Sequence, residues 1–358
     1  MLIARAPLRI SFAGGGTDLE AYYAKYGGVV VSATINKYFY VFLSRTLDDA
    51  VQITSSDFRT FERRAAGEAL SQDGDLGYLK SILQEFGVTH GIALFTASEI
   101  PPGTGLGSSS TVAVALVKAL ATLCQRRITK QEIAELASYM EIIKLGRPIG
   151  LQDQFAASFG GLNCITFEAT GVQVTPLHLS LDVRDRLERS LMLFYTGASR
   201  NAASILAQQR QASSEEQPRV IENLHGIKAD ALAVRDALRA GRLRRVGEIL
   251  HESWQKKKRL VAGVSNESID RLYQLALEHG AVGGKIAGAG GGGFLLLYCE
   301  PQHQAAVTHV LESEGLARLA FHFDDGGAQV LVNSMPQVPG LSYPEGRWIV
   351  TGAASAWQ

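Results

Sequence analysis

The residues best suited to chemistry in this 358-residue chain stand at positions 101 to 110, Pro-Pro-Gly-Thr-Gly-Leu-Gly-Ser-Ser-Ser. Gly103, Gly105 and Gly107 free the backbone to turn its N–H groups inward. The apolar run from Thr111 to Val117 predicts a helix that begins at the serines. A helix start offers unpaired N–H groups and the positive end of the helix dipole. Pro102, Gly103, Thr104, Gly105, Leu106, Gly107, Ser108, Ser109 and Ser110 therefore read as a loop that cradles phosphate. The Walker loop needs Lys directly after its last Gly, and here Ser108 occupies that place. The plainer alternative for such a turn is a helix cap.

Two further stretches make the reading more specific. One runs Pro7-Leu8-Arg9-Ile10-Ser11-Phe12-Ala13-Gly14-Gly15-Gly16-Thr17-Asp18, the other Lys285-Ile286-Ala287-Gly288-Ala289-Gly290-Gly291-Gly292-Gly293-Phe294. Gly288 to Gly293 also satisfies G-x-G-x-x-G, but a dinucleotide loop must open a helix after a strand. Here it precedes the strand-like run Phe294 to Tyr298, so a loop that lets two backbones approach closely fits better. The three stretches in this order resemble the three motifs of the GHMP kinases, named for galactokinase, homoserine kinase, mevalonate kinase and phosphomevalonate kinase. The resemblance covers about residues 3 to 333. Within that family, Gly-Gly-Gly-Thr-Asp is similar to the first motif of sugar-1-kinases that act on a heptose 7-phosphate.

The resemblance implies ATP as phosphoryl donor, Mg2+ as cofactor and a small sugar phosphate as acceptor. Phosphoryl transfer is mostly positioning and charge neutralisation, which needs phosphate donors, a metal ligand and a group aimed at the attacking hydroxyl. Asp153, in Gly150-Leu151-Gln152-Asp153-Gln154, is by residue type a helix cap; the resemblance makes it the group that orients or accepts the hydroxyl proton. Arg9 alone is an unremarkable strand arginine, and the resemblance sets it beside Asp153 as a cation for the γ-phosphate. Ser108 and Glu141 become the metal ligands; otherwise Glu141 is an ordinary helix glutamate. Gly15, Gly16, Thr17, Asp18, Gly290 and Gly291 become acceptor-site residues, with Asp18 accepting hydrogen bonds from sugar hydroxyls. Galactose-type members carry Gly-Glu-His-Thr-Asp at the first motif, a departure that counts against galactose. A substrate phosphate needs cations, and Arg147 and Arg200 are the candidates, each of which is otherwise a loop or first-turn arginine. Lys256-Lys257-Lys258-Arg259 reads as a cationic helix end that complements the dipole. The competing functions are another sugar-1-kinase, for fucose, galactose or a uronic acid, and a silent sensor that binds ATP and sugar without turnover.

These residues need a scaffold of strands and helices. Strands are expected at 2 to 13, 28 to 43 (one long or two short), 51 to 55, 58 to 62, 90 to 96, 161 to 167, 191 to 195, 294 to 298, 319 to 323 and 328 to 332. Helices are expected at 18 to 25, 75 to 86, 108 to 123, 130 to 145, from 152, and at 199 to 211, 218 to 239, 243 to 261, 266 to 278 and 302 to 314. Without a βαβ repeat of constant period this is an α+β fold; the resemblance implies two lobes with the active site between them. The domains would be 1 to 190, 191 to 335 and an irregular tail at 336 to 358.

Apolar residues make up 46% and charged residues 20%, as in an ordinary globular protein. The formal net charge of zero gives no broad basic surface for nucleic acid. Three scattered cysteines argue against a disulfide framework or zinc cluster. No apolar run reaches the ~20 residues of a membrane span and no signal core opens the chain, so a cytosolic protein without membrane partners is expected. A homodimer is left open.

Overall fold

The computed structural model describes residues 1–197, 202–336 and 341–344. Two sheets and the helices packed on them make an α+β fold. The first sheet is centred on the antiparallel pair Leu2–Ala13 and Gly28–Arg45. Asn36 and Lys37 are left unpaired between the Pro7–Tyr38 and Leu8–Ile35 pairs. Such a bulge bends a strand and sharpens its twist. On its other edge the bent strand changes partner, pairing Leu162–Glu168 with its first half and Ile92–Ser98 with its second. One long strand, rather than two short ones, therefore holds Arg9 and the approaches to both Asp18 and Gly103.

The helix Ser108–Leu123 is buried on nearly every side. Its run of small and apolar residues suits a helix packed between layers, which fixes the phosphate loop ahead of it. The helix Lys130–Ser138 is closed by a capping box between Thr129 and Glu132, then widens into a π-helical stretch over Tyr139–Lys144. The sequence pattern predicts a single helix there. π-Turns of this kind favour functional sites, and this one carries Glu141.

The second sheet holds Ala317–Leu319, Leu191–Tyr195, Phe294–Cys299 and Ala281–Ile286 in that order. Its last strand, the hairpin strand Gly171–Pro176 and the helix Leu181–Ser190 are additions to the expected elements. Helices Ala202–Ser214, Pro218–Arg239, Leu243–Lys257 and Glu267–Glu278 fall close to the expected ranges. Gln329–Asn333, counted with the second lobe, pairs instead with Leu2–Arg5 in the first sheet. The antiparallel pairing covers backbone groups that would otherwise form a free edge. Within the expected tail, Leu341 and Tyr343 pack on the first-lobe core. Among the described residues no helix is long and apolar enough to cross a membrane.

Candidate active site

A cleft of about 360 Å³ opens where the three glycine stretches meet. Gly103, Gly105 and Gly107 face it, while Thr104 and Leu106 are fully buried beneath. Gly103, Gly105 and Gly107 all take positive φ, a conformation that favours glycine, and the left-handed Gly107 starts the Ser108 helix. The Thr104 and Leu106 side chains point away from the cleft and anchor the loop. Leu106 joins a hydrophobic core, and the Thr104 hydroxyl donates to the carbonyl of Pro101.

The third glycine stretch clamps the loop from the other side. A Cβ on Gly105 would lie 2.3 Å from the carbonyl oxygen of Ala287, and one on Gly293 would lie 2.2 Å from that of Thr104. Gly288 in turn meets the backbone of Gly105. Gly290 and Gly291 do not reach the cleft. Gly291 donates its N–H to Val264, and a Cβ on Gly290 would strike Val264. Gly288 and Ala289 line the cleft in their place.

Arg9 and Asp153 meet as expected. Arg9 Nη2 lies 2.6 Å and Nε 2.8 Å from Asp153 Oδ1, while Nη1 donates to the carbonyl of Gly105 at 2.6 Å. Arg9 is 3% exposed and the Asp153 side chain 23%, so the arginine is fixed and the carboxylate faces the cleft. The other Asp153 oxygen lies beside Gly107, 3.3 Å from where a Cβ would stand. The carboxylate therefore sits at the mouth of the phosphate loop.

Asp18 lies deeper and accepts from the Gly16 N–H (2.9 Å), the Gln152 N–H (3.2 Å) and Gln152 Nε2 (3.0 Å). Burial pushes its pKa up, and the nearby Asp153 charge adds to the rise. Gly15 and Gly16 line the cleft beside it. Thr17 is corrected. Its hydroxyl bonds to the carbonyls of Gly14 and Val29 and accepts the Val29 N–H, which ties the glycine turn to the long strand.

Glu141 is fully buried behind the cleft wall. Its carboxylate accepts from Arg147 Nη1 (3.0 Å) and from Gln154 Nε2 (2.6 Å), which also reaches the Ser110 hydroxyl at 3.2 Å. Burial outweighs these partners and pushes the pKa up to about 7. Arg147 lies over the Tyr78 ring, 4.1 Å from its centroid. It separates the main cleft from a smaller, mostly apolar recess lined by Phe39, Tyr78, Leu79, Ile100, Pro102 and Val112. Arg200 lies outside the described residues. Among the described residues no cluster of three or more His, Cys, Asp or Glu forms a ready-made metal site.

Several cleft residues escape a reading of the sequence. Lys256, Lys257 and Lys258 end one helix and, at about 100° per residue, point three ways. Lys256 pairs with Asp230 (2.6 Å) and Lys258 with Asp270 (3.1 Å). Lys257 turns into the cleft and donates to the carbonyl of Gly288. Gln152, Gln209 and Ala289 also line it. The sole signal for Lys257 is its place within a basic run, which a dipole partner explains equally well.

Residues 76–161 match the model of the GHMP kinase N-terminal domain, and residues 234–316 match that of the C-terminal domain. A D-glycero-alpha-D-manno-heptose 7-phosphate kinase of Campylobacter jejuni is 35% identical over 316 residues, 87% of this chain and 93% of that one. A galactokinase of Pyrococcus furiosus is 27% identical, covering 89% of this chain and 95% of its own length. The solved structure of a D-glycero-D-manno-heptose 1-phosphate kinase from Bacteroides thetaiotaomicron superposes with a TM-score of 0.77 at 29% identity, over 93% of this chain and 99% of that one. The chain belongs to the GHMP kinases.

Proposed function

We propose that this protein transfers the γ-phosphoryl group of ATP to the anomeric hydroxyl of D-glycero-D-manno-heptose 7-phosphate, giving the 1,7-bisphosphate. The observation that carries the reading is the Arg9–Asp153 pair at the mouth of a glycine-serine phosphate loop, with the buried Asp18 beside it. The likeness to the Campylobacter jejuni kinase supports the choice of acceptor.

ATP phosphates lie along Gly103 to Ser110, where backbone N–H groups and the helix dipole favour anions. The base takes the apolar recess at Tyr78 and Pro102. Asp153 takes the proton of the attacking hydroxyl, or holds it for transfer, while Arg9 keeps that carboxylate oriented. Arg9 also places a cation close to the oxygens of the transferred group. Asp18 accepts hydrogen bonds from the sugar. Ser108, on the cleft wall, offers a hard oxygen donor that Mg2+ would take, and Glu141, buried behind it with Arg147 and Gln154 on its oxygens, would add a negative charge that a cation favours. A Mg2+ ion held there would neutralise phosphate charge. Arg147, a sequence candidate for the sugar phosphate, lies instead on the nucleotide side of the cleft, beside Glu141 and Tyr78, where it suits an ATP phosphate. A cytosolic setting, where ATP is available, completes the reading.

The test is ATP turnover against free heptose, heptose 7-phosphate, mannose, fucose and galactose. A kcat/KM highest for heptose 7-phosphate is expected. Equal or higher values for an unphosphorylated sugar would sink the substrate assignment.

A further inference from the structure

The unused hydrogen-bonding capacity of the cleft is concentrated where the second lobe leans over the first glycine turn. Gln209 is 3% exposed, and its Nε2 has no partner among the described residues. Gln152 Oε1 and the Ser11 hydroxyl are likewise buried and unpaired. A buried donor or acceptor left unpaired is costly, so Gln209 and Gln152, orphaned on the cleft wall, mark where a ligand supplies the missing bonds. Lys257 is 6% exposed. Its ammonium carries three donors, of which the carbonyl of Gly288 takes one.

Geometry ties these groups together. A Cβ on Gly15 would lie 3.8 Å from Lys257 Nζ, 3.6 Å from Gln152 Nε2 and 3.9 Å from the Ser11 hydroxyl. A Cβ on Gly16 would lie 3.8 Å from Gln209 Oε1. Lys257 and Gln209 thus lie in van der Waals reach of the first glycine turn, which brings their polar ends to the same part of the cleft as Gly15 and Gly16. Lys257 also sits next to the transfer point, because Gly288, its acceptor, touches Gly105, whose carbonyl holds Arg9.

We propose that Lys257 and Gln209 are acceptor-recognition residues, donating to hydroxyl oxygens of the sugar near the reacting carbon, beside the Gly15-Gly16-Thr17-Asp18 turn. The proposal rests on the sugar-kinase reading above. Lys257 faces Asp18, Asp153, Arg9 and Lys285. Burial depresses its pKa to about 8, against the pull of Asp18. A hydroxyl ligand suits an ammonium whose charge is already expensive to bury, because it accepts a hydrogen bond without adding a second desolvated ion.

Lys257→Met and Gln209→Leu test this by initial-rate kinetics and by calorimetric titration of the acceptor without nucleotide. Each is expected to raise acceptor KM and Kd by about tenfold or more, with ATP KM changed less than about twofold. Gly15→Met approaches the Lys257 ammonium from the first lobe and leaves its helix intact. It is expected to produce the same loss, which keeps the test decisive if Lys257→Met does not fold. Free heptose and heptose 7-phosphate should weaken alike. An effect confined to the phosphorylated sugar would overturn the assignment to hydroxyls, and unchanged acceptor KM in folded Gln209→Leu and Gly15→Met would overturn the whole proposal. The acceptor is whichever sugar the wild-type enzyme phosphorylates best. If that is not heptose 7-phosphate, the substrate assignment falls while this proposal is judged on the sugar that works. Turnover of no sugar defeats both.

Discussion

Asp153 and Glu141 are two carboxylates with opposite surroundings, and their expected behaviour differs accordingly. Asp153 is partly exposed and bonded through one oxygen to Arg9. Asp153→Asn keeps an oxygen for Arg9 but cannot take a proton from the acceptor. Turnover should fall about a hundredfold or more with both substrate affinities nearly intact, as measured by calorimetry beside kcat; wild-type kcat would remove Asp153 from the chemistry. Glu141 is fully buried with a pKa raised to about 7. Between its ordinary value near 4.5 and 7 the folded chain binds more protons than the unfolded one, so stability falls as pH rises through that window. Glu141→Gln should flatten this slope in melting temperatures taken from pH 5 to 8 without ligand. Binding of a cation favours the ionised form, so Mg·ATP affinity should increase across pH 7 in the wild type and not in Glu141→Gln. A slope that survives the substitution would assign it to another group.

At the scale of elements, the phosphate loop is held less by its own sequence than by the glycine stretch that faces it. Gly293 has φ +94° and stands with its missing Cβ 2.2 Å from the Thr104 carbonyl. Gly293→Ala forces backbone against backbone, which should destabilise the fold by about 1–3 kcal/mol and raise ATP KM more than acceptor KM. Gly74→Ala, at φ +75° in open space, controls for strain alone; if the two variants had equal ATP KM values, the clamp would have no role in holding the loop. Local signals made this much legible in the sequence: glycine spacing marked both loops, and apolar periodicity gave the helices from Ser108 to Glu278 within a few residues, except Leu181–Ser190. Three features depended on tertiary context. The π-turn at Tyr139–Lys144 leaves no compositional trace. The strand Ala281–Ile286 lacks an alternating pattern, because Gly283 and Gly284 at its centre read as loop. Yet Gly283 lies against the carbonyl of Gly247 and Gly284 against that of Leu296, contacts that need glycine within a strand. The direction of Lys257 among three consecutive lysines was fixed only once Asp230 and Asp270 claimed its neighbours.

On the scale of the whole molecule, the two lobes share one interior. Leu8, Ile10 and Phe12 of the first strand lie in the same apolar cluster as Leu238, Val246, Ile249 and Leu250 of the second-lobe helices and Leu296 of its sheet. The chain then returns, through the Ile35–Phe323 bridge and the pairing of Gln329–Asn333 with Leu2–Arg5, to the sheet where it began. Residues 1 to 190 alone would lack that edge strand and expose Leu8, Ile10 and Phe12, which are fully buried in the intact chain. Burial of such side chains contributes about 1.5–3 kcal/mol each, comparable in sum with the roughly 5–15 kcal/mol that stabilises a typical domain. The halves should therefore not fold separately, and the full chain should melt in a single calorimetric transition whose van't Hoff and calorimetric enthalpies agree. Two resolved transitions, or a folded 1–190 fragment with dispersed amide resonances, would show independent lobes. A shared core also bears on the active site: Arg9 and Lys257 come from opposite lobes yet rest on one packed interior, so their spacing is fixed before either substrate arrives, and acceptor binding should raise the melting temperature of the whole molecule rather than of one half.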